Sequence, residues 1–137
     1  MKNDLKAYDF ILEMEVRDYE LDCEQIVNNA VYLHYFEHTR HKFCIKAGIP
    51  FIKMHEQGMD AVVRKIELEY FNPLRSGDSF KSCLRVEREG ARFIFYQDLY
   101  KADGSPSAKA KITIVALKDG KLSRGDEWAK IFSSYLA

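Results

Sequence analysis

A chain of 137 residues can bury one substantial core but not two comfortable ones, so a single domain over 1–137 is expected. Its 47% hydrophobic and 13% aromatic content is that of a globular chain and excludes a disordered one. Basic residues (21) balance acidic ones (21), so bulk charge advertises neither a nucleic-acid nor a membrane-surface partner, and any anionic ligand must be met locally.

The opening "MKNDLKAYDF" is charged and lacks the apolar centre of a signal peptide. No run approaches the ~18 apolar residues of a membrane span, and the expectation is a cytoplasmic chain. From Tyr8 to Arg17, Phe10, Leu12, Met14 and Val16 alternate with Asp9, Glu13, Glu15 and Arg17, which predicts a strand with one wet face. From Asn29 to Ala47 there is neither glycine nor proline, and Tyr32, Phe36, Phe43 and Ala47 recur at helical spacing. Asn28 or Asn29 is the expected N-cap of this one long helix, and Gly48 followed by Pro50 its stop. The link "IPFIKMHEQG" reads as irregular.

Four strands are then expected over Met59 to Phe71, Ser79 to Glu89, Ala91 to Lys101 and Ser107 to Lys118, separated by "NPLRSGD", "EREG" and "ADGSP". The turns at Gly90 and at Asp103 and Gly104 predict two hairpins. In the last run Ala108, Ala110, Ile112, Ile114 and Ala116 share a face that is small at one end. An amphipathic segment carrying Trp128, Ile131, Phe132 and Tyr135 closes the chain. Strand, long helix, then four mostly antiparallel strands makes an α+β chain in which a sheet of five or more strands wraps around the one helix and buries it. The strands from Ala91 to Leu117 carry apolar residues on both faces (Phe93 and Phe95, but also Ile94, Tyr96 and Tyr100), which predicts burial against a second subunit.

The three cysteines, Cys23, Cys44 and Cys83, are an odd set without CxxC spacing, which argues against a disulfide framework and a structural zinc site. Cys44 and Cys83 read as packing residues, and Cys23 as a nucleophile candidate with no base nearby in sequence.

The stretch "ELDCEQIVNNAVYLHYFEHTR", Glu20 to Arg40, changes abruptly from clustered carboxylates and amides to an aromatic helical run. Taken alone, Asp or Asn before a helix is also what a simple cap requires, and both readings stand on the loop alone. Asp22, Gln25, Val27, Asn28, Asn29, Ala30, Tyr32, Leu33, Tyr35, Phe36, Glu37 and Arg40, with "YFNPLRSGD" further on, resemble the hotdog-fold acyl-CoA thioesterases of the 4-hydroxybenzoyl-CoA thioesterase type. Ile26 stands where many members carry a histidine, which weighs against a histidine-assisted route and places the chemistry on the aspartate.

The resemblance implies a hotdog fold, self-association as a homodimer or homotetramer, an acyl-CoA substrate, and no cofactor. It implies that Asp22 is the general base or nucleophile and that the helix N-terminal amide at Asn29 polarises the carbonyl. Gln25 and Asn28 would hold water or the loop, and Tyr32 the substrate. Glu37, deeper in the helix, is a second catalytic candidate, and its alternative role is a salt bridge to Arg40 or His41. "HYFEH" matches a zinc-protease arrangement, but the family pattern already accounts for its flanks, so no metal is expected. "RGD" at Arg124 to Asp126 is read as a helix start with Asp126 as cap. Arg64, Lys65, Arg75, Arg85, Arg88 and Arg92 are candidates for the coenzyme A phosphates. An acyl-carrier-protein thioesterase and a non-catalytic acyl-CoA-binding module are the rival functions.

Overall fold

The computed structural model describes residues 5–136; residues 1–4, part of the charged N-terminal stretch, and residue 137 lie outside it. Strands β1 (Phe10–Glu15), β2 (Met59–Tyr70), β3 (Ser79–Glu89), β4 (Arg92–Lys101) and β5 (Pro106–Lys118) form one antiparallel sheet in the order β1-β3-β4-β5-β2, and β6 (Lys121–Leu122) pairs with β5. The β3–β4 and β4–β5 hairpins turn where predicted, at Gly90 and at Asp103 and Gly104. Alternation sends one row of side chains to the helix side: Phe10, Leu84, Gln97, Ala110 and Leu68 stand at matched positions across all five strands.

Helix α1 (Val31–Ala47) lies against that face and buries Tyr32, Tyr35, Phe36, Thr39, Arg40, Phe43 and Cys44, a stripe at i, i+3, i+4, i+7 spacing. Gly48, at φ 113°, adopts the left-handed turn that ends the helix, and its N–H returns to Ile45 O at 3.1 Å. Phe43 is fully buried, stacked on Phe132 at 5.4 Å between centroids, so helix α3 (Asp126–Ile131) and the residues after it close the core at this end. Loss of such a ring costs about 3–5 kcal/mol. The small residues Ala108, Ala110 and Ala116 are buried beneath the helix as their spacing predicts. Cys44 and Cys83 are buried and Cys23 is exposed.

Four expectations need correction. Helix α1 starts at Val31 rather than Asn29, because Ala30, already helical in conformation, holds the N-cap position. The link after Gly48 contains helix α2 (Phe51–Glu56), whose Met54 is fully buried. Gly125, not Asp126, is the N-cap of α3; Asp126 is its first residue and accepts a hydrogen bond from Arg88 at 2.7 Å. Finally, Ile94 and Tyr100 on the outer face of β4 are already buried within the chain (3% and 6% exposed). Tyr8 folds over that face and meets Tyr100 edge-on at 6.2 Å. Exposed apolar residues sit instead on the edge strand β2, at Val62, Val63, Ile66 and Tyr70.

Candidate active site

The loop between β1 and α1 is built as a closed hairpin. A 3-10 turn, Asp18–Glu20, follows β1, and Leu21 then bridges to Val27. The N–H of Asn28 donates to Glu20 O at 2.9 Å, and that of Val27 to Leu74 O at 2.9 Å, which ties the loop to the segment before β3. Within the loop Asp22 N–H donates to Ile26 O at 2.8 Å and Gln25 N–H to Asp22 O at 3.0 Å. Asp22 Oδ1 accepts the Glu24 N–H at 2.8 Å, leaving its other carboxylate oxygen to other partners. Gln25 holds φ at +63°, a conformation a non-glycine residue adopts only when its surroundings impose it.

At the helix mouth Asn28 makes two contacts. Its Oδ1 accepts the Ala30 N–H at 2.9 Å, and its backbone O accepts the Val31 N–H at 2.9 Å. Asn28 thus closes the turn that leads into α1, but neither Asn28 nor Asn29 is the N-cap expected from the sequence: Ala30 holds that position and no side chain caps the helix. Asn29 has its carbonyl held by the Tyr70 hydroxyl at 2.8 Å, while among the described residues its N–H has no acceptor. That amide sits beside the N-terminus of a 17-residue helix, where aligned peptide dipoles amount to roughly half a positive charge.

The predicted site residues separate into three groups. Asp22, Gln25, Asn28 and Asn29 lie together in this one loop, half-buried or exposed. Tyr32, in the first turn, is only 3% exposed: its hydroxyl meets Ser107 Oγ and the Leu74 N–H, each at 3.3 Å, and its ring stands edge-on to Tyr70 at 5.1 Å. It is a core residue with its hydroxyl engaged internally rather than a free hydrogen-bonding group. Glu37 is two turns further along, exposed, with Oε1 3.9 Å from His41 Nε2. Burial holds the His41 imidazole below the usual histidine range, against the opposing pull of Glu37.

A groove of about 330 Å³ starts at Ala30, beside the Asn29 amide, and runs between α1 and β2 past Leu33, Glu37, Arg40, Val63 and Ile66. Its lining is apolar apart from the helix side chains at its rim and Arg40 at its floor. Arg40 is 7% exposed and donates from Nη1 to Gln97 Oε1 at 2.9 Å, and burial lowers its pKa. A wider depression, about 750 Å³, lies where β1 and β4 end and β3 begins, around Glu15, Lys81 and Lys101, and contains none of the predicted site residues. His34 and His38 of "HYFEH" are both exposed, and among the described residues no group of three or more His, Cys, Asp or Glu is placed to hold a metal ion.

Residues 16–130 match the family model described as the thioesterase-like superfamily. This chain belongs to that superfamily. It is 38% identical, over 62% of its length and 45% of the relative's, to a chloroplastic acyl-acyl carrier protein thioesterase of Arabidopsis thaliana, so the chain spans about half the length of that protein. Among solved structures it is 32% identical to a hypothetical protein of Aquifex aeolicus, with a TM-score of 0.83 and coverage of 89% and 98% of the two chains. A DHNA-CoA thioesterase of Staphylococcus aureus shares the fold at 21% identity, TM-score 0.82, with 90% and 88% coverage. The antiparallel sheet curled on one helix is the hotdog fold of these thioesterase neighbours. No helix among the described residues of this superfamily member is long and apolar enough to cross a membrane.

Sequence reasoning gave no role to Glu20, Tyr35 or Tyr70, which the fold places around this candidate site. Glu20 is buried, and its Oε1 accepts both the Arg17 N–H and the Tyr35 hydroxyl at 2.8 Å. The spacing of Tyr35 from Tyr32 marks it as helix stripe, but nothing local says which group its hydroxyl meets.

Proposed function

We propose that this chain is a hotdog thioesterase that hydrolyses a fatty-acyl or aryl thioester of coenzyme A to the free acid and the thiol. The observation that carries the reading is the Asn29 amide, left without an acceptor among the described residues beside a helix N-terminus and at the head of an apolar groove. There the thioester oxygen accepts from the Asn29 N–H, and the charge that grows on it as the carbon becomes tetrahedral is met by a fixed dipole. Asp22 takes a proton from the attacking water, or attacks the carbonyl itself to give an anhydride that water then opens. In either route the C–S bond breaks and the thiolate leaves. Gln25 and the amide NH2 of Asn28, whose Oδ1 is already committed, order the water and the loop. The acyl group lies along Leu33, Val63 and Ile66, with Tyr32 supporting the helix mouth from the core beneath. Glu37 lies further down the same groove, where it meets the acyl group of its own site or a neighbouring subunit.

Self-association, as a homodimer or homotetramer, is supported by strand β2. It is 12 residues long, pairs only with β5 among the described residues, and exposes Val62, Val63 and Ile66. Such an edge is covered in assembled proteins, and covering it closes the groove. For the phosphates of coenzyme A, the exposed Arg64, Arg75 and Arg92 remain, since Arg85 is engaged by Glu87 and the Tyr96 ring and Arg88 by Asp126. A second reading, hydrolysis of an acyl-carrier-protein thioester, is favoured by the 38% identity to the Arabidopsis thaliana protein. Thiol release from aryl, medium-chain and long-chain acyl-CoA esters and from acyl-carrier-protein esters tests both. Turnover of at least one class is expected; no release from any ester refutes the reading in favour of an acyl-CoA-binding module.

A further inference from the structure

Glu20 makes contacts on three sides of the site loop without belonging to the loop. Its Oε1 accepts the Arg17 N–H at 2.8 Å and the Tyr35 hydroxyl at 2.8 Å, its Oε2 lies 3.3 Å from Arg17 Nη1, and its backbone O accepts the Asn28 N–H at 2.9 Å. It is 8% exposed, and Tyr35, on the buried stripe of α1, is 2% exposed. The loop from Leu21 to Val27 therefore begins and ends on one residue, and that residue is bonded to the helix at whose mouth the loop lies. Burial and the Glu20 hydrogen bond push the Tyr35 phenol upward, so it remains a donor throughout the working pH range.

We infer that Glu20 and Tyr35 form a positioning brace that sets the place of Asp22 relative to the α1 N-terminus. The inference rests on the thioesterase reading above. Asp22 lies two residues beyond Glu20, and the Asn29 amide one residue beyond Asn28, so the aspartate and the oxyanion donor are each attached to opposite ends of the same clamp. Neither brace residue touches substrate. Their effect is geometric: a displacement of about 1 Å between a reacting group and its target can cost on the order of a hundredfold in rate while leaving ground-state binding along the groove unchanged.

The test is steady-state thiol release from the best acyl-CoA ester by wild type, Tyr35→Phe, Glu20→Ala, Glu20→Gln and the Tyr35→Phe/Glu20→Ala double variant, each confirmed folded by thermal melting well above the assay temperature. The expected result is a fall in kcat of about tenfold or more for Tyr35→Phe and Glu20→Ala, with KM within about twofold. Glu20→Gln keeps the shared acceptor Oε1 and recovers most of kcat. The double variant is no slower than Glu20→Ala alone, because both substitutions break one contact. Folded variants with wild-type kcat, or with KM raised and kcat unchanged, overturn the brace. If Glu20→Ala does not fold, Tyr35→Phe alone decides. If wild type releases no thiol from any ester, the functional reading fails first, and amide exchange then judges the brace: Asp22 and Asn28 amides that exchange about tenfold faster in Tyr35→Phe support it, and unchanged exchange overturns it.

Discussion

Replacement of Gln97 by leucine tests how α1 is seated on the sheet. Gln97 is fully buried in the middle of β4, where its Oε1 accepts from Arg40 Nη1 at 2.9 Å and its Nε2 donates to Phe36 O at 2.9 Å. The first bond is to a charged donor and is worth about 1.5–3 kcal/mol; the second goes to a carbonyl inside the helix and is worth about 0.5–1.5 kcal/mol. The two sum to about 2–4.5 kcal/mol; leucine fits the space and recovers part of this through apolar burial, so the expected net loss is about 1.5–3 kcal/mol. For a domain of this length that lowers Tm by roughly 10 °C, read by circular dichroism melting at fixed protein concentration. Conversion of Arg40 to methionine in the same protein removes the stranded guanidinium, and the Gln97→Leu/Arg40→Met variant should regain at least half of the lost stability. A Gln97→Leu protein within about 1 kcal/mol of wild type, or a double variant that loses the sum of the two single losses, would refute this account of the helix seat.

Asn28→Ala removes the side-chain acceptor of the Ala30 N–H, so a stability loss of about 1 kcal/mol is expected in urea unfolding, together with slower thiol release as the helix mouth loosens. Burial on the outer face of the sheet raises the Asp98 pKa, against the opposing effects of the Tyr8 hydrogen bond, Lys109 and Arg85. A carboxyl whose folded pKa is raised favours folding below its unfolded value, about 3.9, and that contribution is lost as pH rises through the folded value. Asp98→Asn should therefore raise the unfolding midpoint at pH 7 and show no gain at pH 3.5; destabilisation at pH 7 contradicts the sign. Lysine at Val63 or Ile66 on the exposed edge of β2 should shift sedimentation toward monomer and lower turnover in parallel, and a variant that stays associated counts against β2 as the contact.

What was legible in the sequence followed the period of each element. Strands β2 to β5 were bounded to within a residue or two because alternation and the Gly90 and Gly104 turns are local signals. Helix α2 was missed because its six residues give less than two turns of periodicity, and its one buried anchor, Met54, carries no pattern of its own. The candidate residues Asp22, Gln25, Asn28 and Asn29 were picked out by a family pattern, and the fold places them in one loop before α1. The residues that hold the hairpin in place were not found. Glu20 meets Tyr35, Arg40 meets Gln97, and Tyr70 meets Asn29 across the sheet and helix, and a contact between residues far apart in the chain leaves no mark on either one's neighbours. Thr39 and Arg40 fall on the apolar stripe for the same reason: Ser82 and Gln97, the polar partners that make their burial tolerable, are on β3 and β4.

The central claim is that Asp22 performs the chemistry beside the Asn29 amide. It is tested most directly by kcat for thiol release from the preferred ester in wild type and in Asp22→Asn, a substitution that keeps shape and the Oδ1 acceptor for the Glu24 N–H while removing the base. The account predicts a loss on the order of a hundredfold or more with KM little changed, and near wild-type turnover for Glu37→Gln. An Asp22→Asn protein that turns over within a few-fold of wild type, or a Glu37→Gln protein that loses as much, would contradict it.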